Sequence, residues 1–198
     1  MNVKLIGFAG RAGAGKSTAA DHVVAKYNFN RDAYARAMKE AVSLLFTIPP
    51  EILKGDITVK SQHDEYWGMT YRGILQQFGT EAMRGTFGGA FWVNVLWRKY
   101  DILPETGLVI DDTRFSEEAL AIREQGGIII QIVKPELEPL ERIWWQKIFI
   151  GWTPWFADGR VHASEIQLPP DLVDFVIVND GTKEQLGLDI ERVLGERG

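Results

Sequence analysis

The chain contains no cysteine. Thiol catalysis, disulfide frameworks and zinc–cysteine sites are thereby excluded, because each needs a sulfur atom. Histidine is scarce, with three in 198 residues, which argues against a histidine-based metal centre. No apolar run approaches the roughly 18 residues needed to cross a bilayer. The apolar stretch after Met1-Asn2-Val3-Lys4 is about one strand long, shorter than the core of a secretory signal. An excess of basic charge is also missing. Lys and Arg number 22 against 27 Asp and Glu, for a net charge of -5. A general nucleic-acid binder is usually basic. The expectation is a cytosolic protein with neither a membrane nor a nucleic-acid polymer as partner.

What is present is typical of one globular domain. Hydrophobic residues make up 45% and charged residues 25%, and a chain of this length buries a core without covalent staples. Short apolar runs at Val3–Ala9, Gly107–Ile110, Ile128–Val133 and Leu172–Val178 read as buried strands. Asn30–Ala35 reads as a further short strand. Helical patterns lie at Lys16–Tyr27, Met38–Phe46, Tyr71–Thr86 (interrupted by Gly79), Phe91–Tyr100, Phe115–Gln125 and Lys183–Leu194. Residues 51–71 read as loop and short helix. Strands alternating with helices predict an α/β fold with a parallel sheet covered on both faces. Residues 48–71 and 135–170 look least like sheet core.

Gly10-Arg11-Ala12-Gly13-Ala14-Gly15-Lys16-Ser17 fits the phosphate-loop pattern G-x-x-x-x-G-K-[ST], with a strand before it and a helix after it. Glycines let the backbone wrap closely and aim its N–H groups inward. The helix N-terminus adds partial positive charge. Lys16 is placed to reach the β and γ phosphates of a nucleoside triphosphate such as ATP, and the Ser17 hydroxyl to ligate Mg²⁺. Arg11 either touches phosphate or points to solvent.

Asp111 and Asp112 close the strand Leu108–Ile110. In open α/β sheets ligands bind at the carboxyl ends of the strands. A carboxylate there holds Mg²⁺ or accepts a substrate hydrogen bond, or it caps a turn. Ser17 and Asp111 are the expected metal pair. Arg114 either binds phosphate or pairs with a carboxylate. On pattern alone Lys39 and Arg84 are solvated helix charges, and Trp92 is core. His162-Ala163-Ser164-Glu165 reads as structural or lid-closing. Trp144, Trp145, Trp152 and Trp155 stack on a base, pack a lid or form a subunit interface, with packing or interface favoured because so many aromatics exceed what one base needs, and a homodimer follows as an expectation. Asn179-Asp180-Gly181-Thr182 offers its backbone to a base, or is an ordinary turn before a helix.

These pieces together resemble the deoxynucleoside monophosphate kinases of tailed bacteriophages and their bacterial relatives. The resemblance runs through the phosphate loop, Ala37-Met38-Lys39-Glu40, Leu75-Gln76-Gln77-Phe78-Gly79-Thr80-Glu81 with Arg84, and Phe91-Trp92-Val93. It continues through Asp112-Thr113-Arg114-Phe115 with Glu118, Gly126-Gly127, His162–Glu165 and Asn179–Thr182. It implies a P-loop kinase fold, a five-stranded parallel sheet flanked by helices. It adds an acceptor-binding insert at about 36–100 and a lid-like insert at about 135–170. It implies ATP as donor with Mg²⁺, and transfer of the γ-phosphoryl group to a deoxynucleoside monophosphate (dNMP). Gly10, Ala12, Gly13, Ala14, Gly15, Lys16, Ser17 and Thr18, with Asn179, Gly181 and Thr182, would hold the donor. Lys39, Gln77, Thr80, Arg84, Trp92, Asp112 and Arg114 would hold the acceptor, with Lys16, Asp112 and Arg114 as the catalytic group. Ala35-Arg36-Ala37-Met38 departs from the Ala-Asp found there in related sequences. The lid arginine stays open between Arg142 and Arg160. Rival readings are another small-molecule kinase, such as a dephospho-coenzyme A kinase, and a nucleotide-switched binding protein.

Overall fold

The computed structural model describes residues 3–100, 105–137 and 168–195. Most of the expected lid, including Arg142, Arg160, the four tryptophans from Trp144 to Trp155 and His162–Glu165, lies outside the described residues.

The first unit comprises residues 1–31 and 104–198. Its strands are β1 (Leu5–Ala9), β2 (Asn30–Asp32, continuing one residue into the second unit), β5 (Leu108–Thr113), β6 (Ile128–Val133) and β7 (Phe175–Val178). They form one five-stranded sheet in the order β2-β5-β1-β6-β7. β5 and β6 both pair parallel with β1, and β7 pairs parallel with β6. Side chains alternate between faces along a strand. Ile6, Phe8, Val109, Ile128, Ile130, Ile132 and Ile177 therefore share one face. Helices α1 (Lys16–Tyr27) and α9 (Lys183–Gly195) cover it through Ala19, Ala20, Val23, Leu186, Ile190 and Leu194. On the other face the Ile122 side chain of α8 (Ser116–Glu124) lies over Gly7 and Gly127.

The strand order explains the site. From β1 the chain moves outward to β2, β5 returns between them, and the chain then crosses β1 to reach β6. The order reverses at β1 and β5, and their carboxyl ends form the crevice where α/β sheets bind ligands.

The second unit comprises residues 32–103. It holds α2 (Ala35–Phe46), α3 (Pro50–Lys54), α4 (Ile57–Lys60), α5 (Tyr71–Gln76), α6 (Gly85–Phe87) and α7 (Phe91–Lys99). Its core is Val42, Ile48, Leu53, Ile74 and Leu75. Pro50 opens α3, where a missing N–H costs nothing. The Asp56 carboxylate caps α4 by accepting from Thr58 and Val59 N–H. Strands β3 (His63–Asp64) and β4 (Met69–Thr70) make a small antiparallel hairpin where the sequence predicts only loop and helix. Its tip is set by Asp64, whose Oδ1 accepts from Tyr66 and Trp67 N–H.

Several boundaries differ from expectation, among them the start of α2, at Ala35 rather than Met38, and the start of β1, at Leu5 rather than Val3. The strand expected at 30–35 ends at Asp32, because α2 begins at Ala35. β5 runs on through Thr113, so Asp111 and Asp112 lie inside the strand. The last strand starts only at Phe175, after a 3₁₀ turn at Pro170–Leu172. The helix from Tyr71 is not interrupted at Gly79. Its hydrogen bonding widens to the π form over Gln77–Arg84 and then continues as α6.

Candidate active site

The phosphate loop joins β1 to α1. Gly10 has φ +135°, and a Cβ there would lie 2.3 Å from the Ile132 carbonyl oxygen. Only glycine permits both that conformation and that approach. The Asn179 Nδ2 donates to the Ala14 carbonyl at 2.8 Å, and the Asn179 backbone N–H donates to Val133 at 2.8 Å. Asn179 thus braces the loop with its side chain, and its N–H is engaged by the sheet rather than offered to a base. The Thr182 hydroxyl accepts from Gln185 N–H at 3.2 Å, which caps the start of α9. Arg11 is half-buried, and its Nη1 donates to the Leu137 carbonyl at 3.2 Å, which ties the loop to the turn after β6.

Lys16 is 9% exposed, and its Nζ donates to the carbonyls of Gly10 and Arg11 at 2.7 Å each. Burial pushes its ammonium down to about 8, and Arg114 adds to the fall. Asp112 and Asp111 offset this only in part. These influences place Asp111, Asp112 and Arg114 within electrostatic reach of Lys16. The Ser17 hydroxyl makes a long contact of 3.4 Å to Asp111 Oδ2. Asp112 is half-buried and Arg114 exposed. The corner after β5 is fixed by buried Glu118, whose Oε2 accepts from the N–H groups of Arg114 at 2.7 Å and Phe115 at 3.1 Å.

Gly13, Gly15, Lys16, Ser17 and Thr18 line a hollow over the loop. Gly13, Gly15 and Thr18 also line a neighbouring cleft with Asn179, Gly181 and Lys134. Exposed Ala12 and buried Ala14 belong to the same loop.

In the second unit Gln77, Thr80 and Arg84 all fall in the π segment. π turns frequently mark functional positions. A Cβ on Gly79 would lie 2.1 Å from Met38 Sδ, and the Gly79 carbonyl accepts from Trp92 Nε1 at 2.9 Å. Trp92 is buried against Phe78 and Phe91. It supports the π segment from behind rather than presenting an open face. Arg84 Nη1 donates to the Gly89 carbonyl, and Lys39 is half-buried on α2.

Two polar residues of the first unit escape sequence reasoning. Lys134 follows β6 and pairs with Glu136 at 3.2 Å beside the loop. Arg31, on β2, reaches both Asp21 of α1 and Asp111 of β5. Both belong to strand ends at the ligand-binding edge, which was their available signal. Neither belongs to a recognisable motif.

No family model matches the chain. A mimivirus protein, from Acanthamoeba polyphaga mimivirus, assigned as a deoxynucleotide monophosphate kinase is 30% identical over 197 residues, covering 91% of each chain. The deoxynucleotide monophosphate kinase of Escherichia phage RB69 is 27% identical over 126 residues, 62% of this chain and 44% of its own. That of Enterobacteria phage T4 is 27% identical over 134 residues, 66% of this chain and 47% of its own. The chain thus spans just under half the length of these two phage relatives. Among solved structures, the shikimate kinase of Acinetobacter baumannii superimposes with a TM-score of 0.52 at 14% identity, covering 99% of this chain and 95% of that one. A dephospho-CoA kinase from Campylobacter jejuni superimposes at 0.51 with 15% identity, covering 98% and 96%. Likeness at that identity speaks to the fold alone, which is that of the P-loop kinases. With a complete phosphate loop on that fold and a relative matched over almost its full length, the chain is a kinase and belongs to the deoxynucleotide monophosphate kinase family.

Proposed function

We propose that the protein transfers the γ-phosphoryl group of ATP to a deoxynucleoside monophosphate, giving the diphosphate and ADP. The observation that carries this reading is the grouping of Lys16, Ser17, Asp111, Asp112 and Arg114 at the carboxyl edge of β1 and β5. The loop N–H groups and the Lys16 ammonium would hold the β and γ phosphates. Gly181 and the turn around Asn179 would flank the base in the neighbouring cleft. Ser17 and Asp111 supply a hydroxyl and a carboxylate 3.4 Å apart. That is the oxygen donor set that Mg²⁺ takes beside phosphate oxygens. Among the described residues no group of three or more His, Asp or Glu side chains that could hold a metal ion exists. Bound there, the ion would neutralise phosphate charge.

A dNMP phosphate oxygen is a nucleophile near neutral pH, so no strong general base is needed. It bonds to the γ phosphorus as the bond to the β–γ bridging oxygen breaks, and ADP leaves with that electron pair. Charge spreads over the transferring group, where Lys16, Arg114 and the loop N–H groups would stabilise it. Asp112 is proposed to orient the reacting group. Lys39, Gln77, Thr80 and Arg84, backed by Trp92, are proposed to bind the acceptor. No helix among the described residues is long and apolar enough to cross a membrane.

Arg84→Ala tests the division of labour. The expected result is a dNMP dissociation constant raised about tenfold or more, the loss of one charge-assisted contact, with ATP affinity unchanged. Equal weakening of both ligands would remove Arg84 from the acceptor set.

A further inference from the structure

Arg31 is a charged residue at the phosphate-loop site that the proposed reaction does not use. Its Nη2 pairs with Asp111 Oδ2, and its Nη1 pairs with Asp21 Oδ1. The same Asp111 oxygen receives the Ser17 hydroxyl. The Asp111 side chain is 12% exposed and that of Arg31 30%, so solvent screens this pair less than a surface pair. One guanidinium therefore sits on the carboxylate oxygen that stands beside the metal-binding hydroxyl. The Lys16 ammonium, on which the Asp111 carboxylate acts, is a second positive charge nearby.

We infer that Arg31 is a positioning residue that acts as a resident counter-cation for Asp111, so that the site rejects a free divalent cation and admits one only together with the nucleotide. The inference rests on the reading of Ser17 and Asp111 as metal-binding oxygens. A bare divalent cation arriving alone meets a carboxylate already neutralised by Arg31, with Lys16 adding repulsion. Carried by a triphosphate it arrives as part of an anion, and the same two cations then attract it. Asp21 lets Arg31 be displaced without losing all of its pairing. When the metal takes Asp111, the guanidinium keeps the α1 carboxylate.

The test uses Mn²⁺ as probe, followed by electron paramagnetic resonance on the full chain without nucleotide. Arg31→Gln exposes Asp111 and Asp21 to the ion, and Mn²⁺ affinity should rise about tenfold, a typical coupling between interacting sites. Arg31→Lys keeps a cation and should bind Mn²⁺ as weakly as the wild type. Adding Asp111→Asn to Arg31→Gln should remove the gain. A strut with only a structural role predicts loss rather than gain. Unchanged or weaker Mn²⁺ binding by a folded Arg31→Gln protein overturns the inference.

A second measurement needs no variant. The Arg31 side-chain ¹⁵N signals of the wild type should move when Mg²⁺ and ATP are added together and stay in place with Mg²⁺ alone. Movement with Mg²⁺ alone overturns the proposal. Asp111→Asn separates the two layers. If it weakens Mn²⁺–ATP binding while Arg31→Gln leaves free Mn²⁺ binding unchanged, only the role of Arg31 fails. If it leaves Mn²⁺–ATP binding intact, the metal reading of Asp111 fails, and the inference with it.

Discussion

Lys16 carries the largest share of the account for a single side chain. It is nearly buried, and its ammonium is held by two loop carbonyls at 2.7 Å. A fixed cation in a partly dehydrated site acts on developing charge more strongly than one in water. Lys16→Ala should lower kcat about 10²–10³-fold while the melting temperature stays near that of the wild type, as steady-state ADP release and thermal unfolding would show. Undiminished turnover by the folded variant would remove Lys16 from the chemistry. Asn179 works at one remove, through its 2.8 Å hydrogen bond to Ala14. A net hydrogen bond is worth about 1 kcal/mol. Asn179→Ala should therefore weaken ATP about fivefold in a calorimetric titration, with dNMP affinity unchanged. No loss of ATP affinity would mean the loop holds its shape without this brace.

At the scale of elements, the loop depends on close backbone packing at Gly10 and a polar hub depends on Asp32. A methyl group on Gly10 would strike the Ile132 backbone carbonyl, which cannot rotate away as a side chain could. The positive φ adds strain. Gly10→Ala should cost about 3 kcal/mol in denaturant unfolding and abolish ATP binding; near-native stability would contradict the packing described. In the second unit Asp32 is 1% exposed and accepts from Lys99 at 2.6 Å and Tyr100 at 2.8 Å, with Arg36 at 2.8 Å. Burial pushes its carboxyl up, but Lys99, the Ala33 N–H, Tyr100 and Arg36 outweigh it and hold the group below its ordinary value. A carboxyl depressed by folding stabilises the fold above its unfolded value, about 3.9, and that stability is lost as pH falls through the folded value. Asp32→Asn should cost about 3 kcal/mol near neutral pH and flatten the fall in stability below about pH 4. An unchanged acid limb in urea titrations would show that other carboxylates set it.

For the whole molecule, what was legible follows from how locally each signal is encoded. The strand, glycine loop and helix from β1 to α1 are specified by neighbouring residues, and Lys16–Tyr27 forms at the expected boundaries. The apolar run Ile128–Val133 likewise forms one strand of those bounds. Signals made by distant residues were not legible. The π widening at Gly79 arises where Met38 packs against it and Trp92 takes its carbonyl, and no periodicity announces those partners. The pairing of Arg31 with Asp21 and Asp111 joins three elements that meet only after folding. The sequence offers the backbone of Asn179–Thr182 to a base or to an ordinary turn and gives no sign of the Asn179 side-chain brace, because its partner, Ala14, is 165 positions away. The central claim concerns the reaction, and product identity tests it most directly. Purified protein with ATP and Mg²⁺ would be incubated with dTMP, dGMP, dCMP, dAMP and their ribose counterparts, with dephospho-coenzyme A alongside. The products would be resolved by chromatography and mass. The account predicts at least one deoxynucleoside diphosphate, formed one-for-one with ADP and absent with Lys16→Ala. ADP without any phosphorylated dNMP, or phosphorylated dephospho-coenzyme A alone, would contradict it.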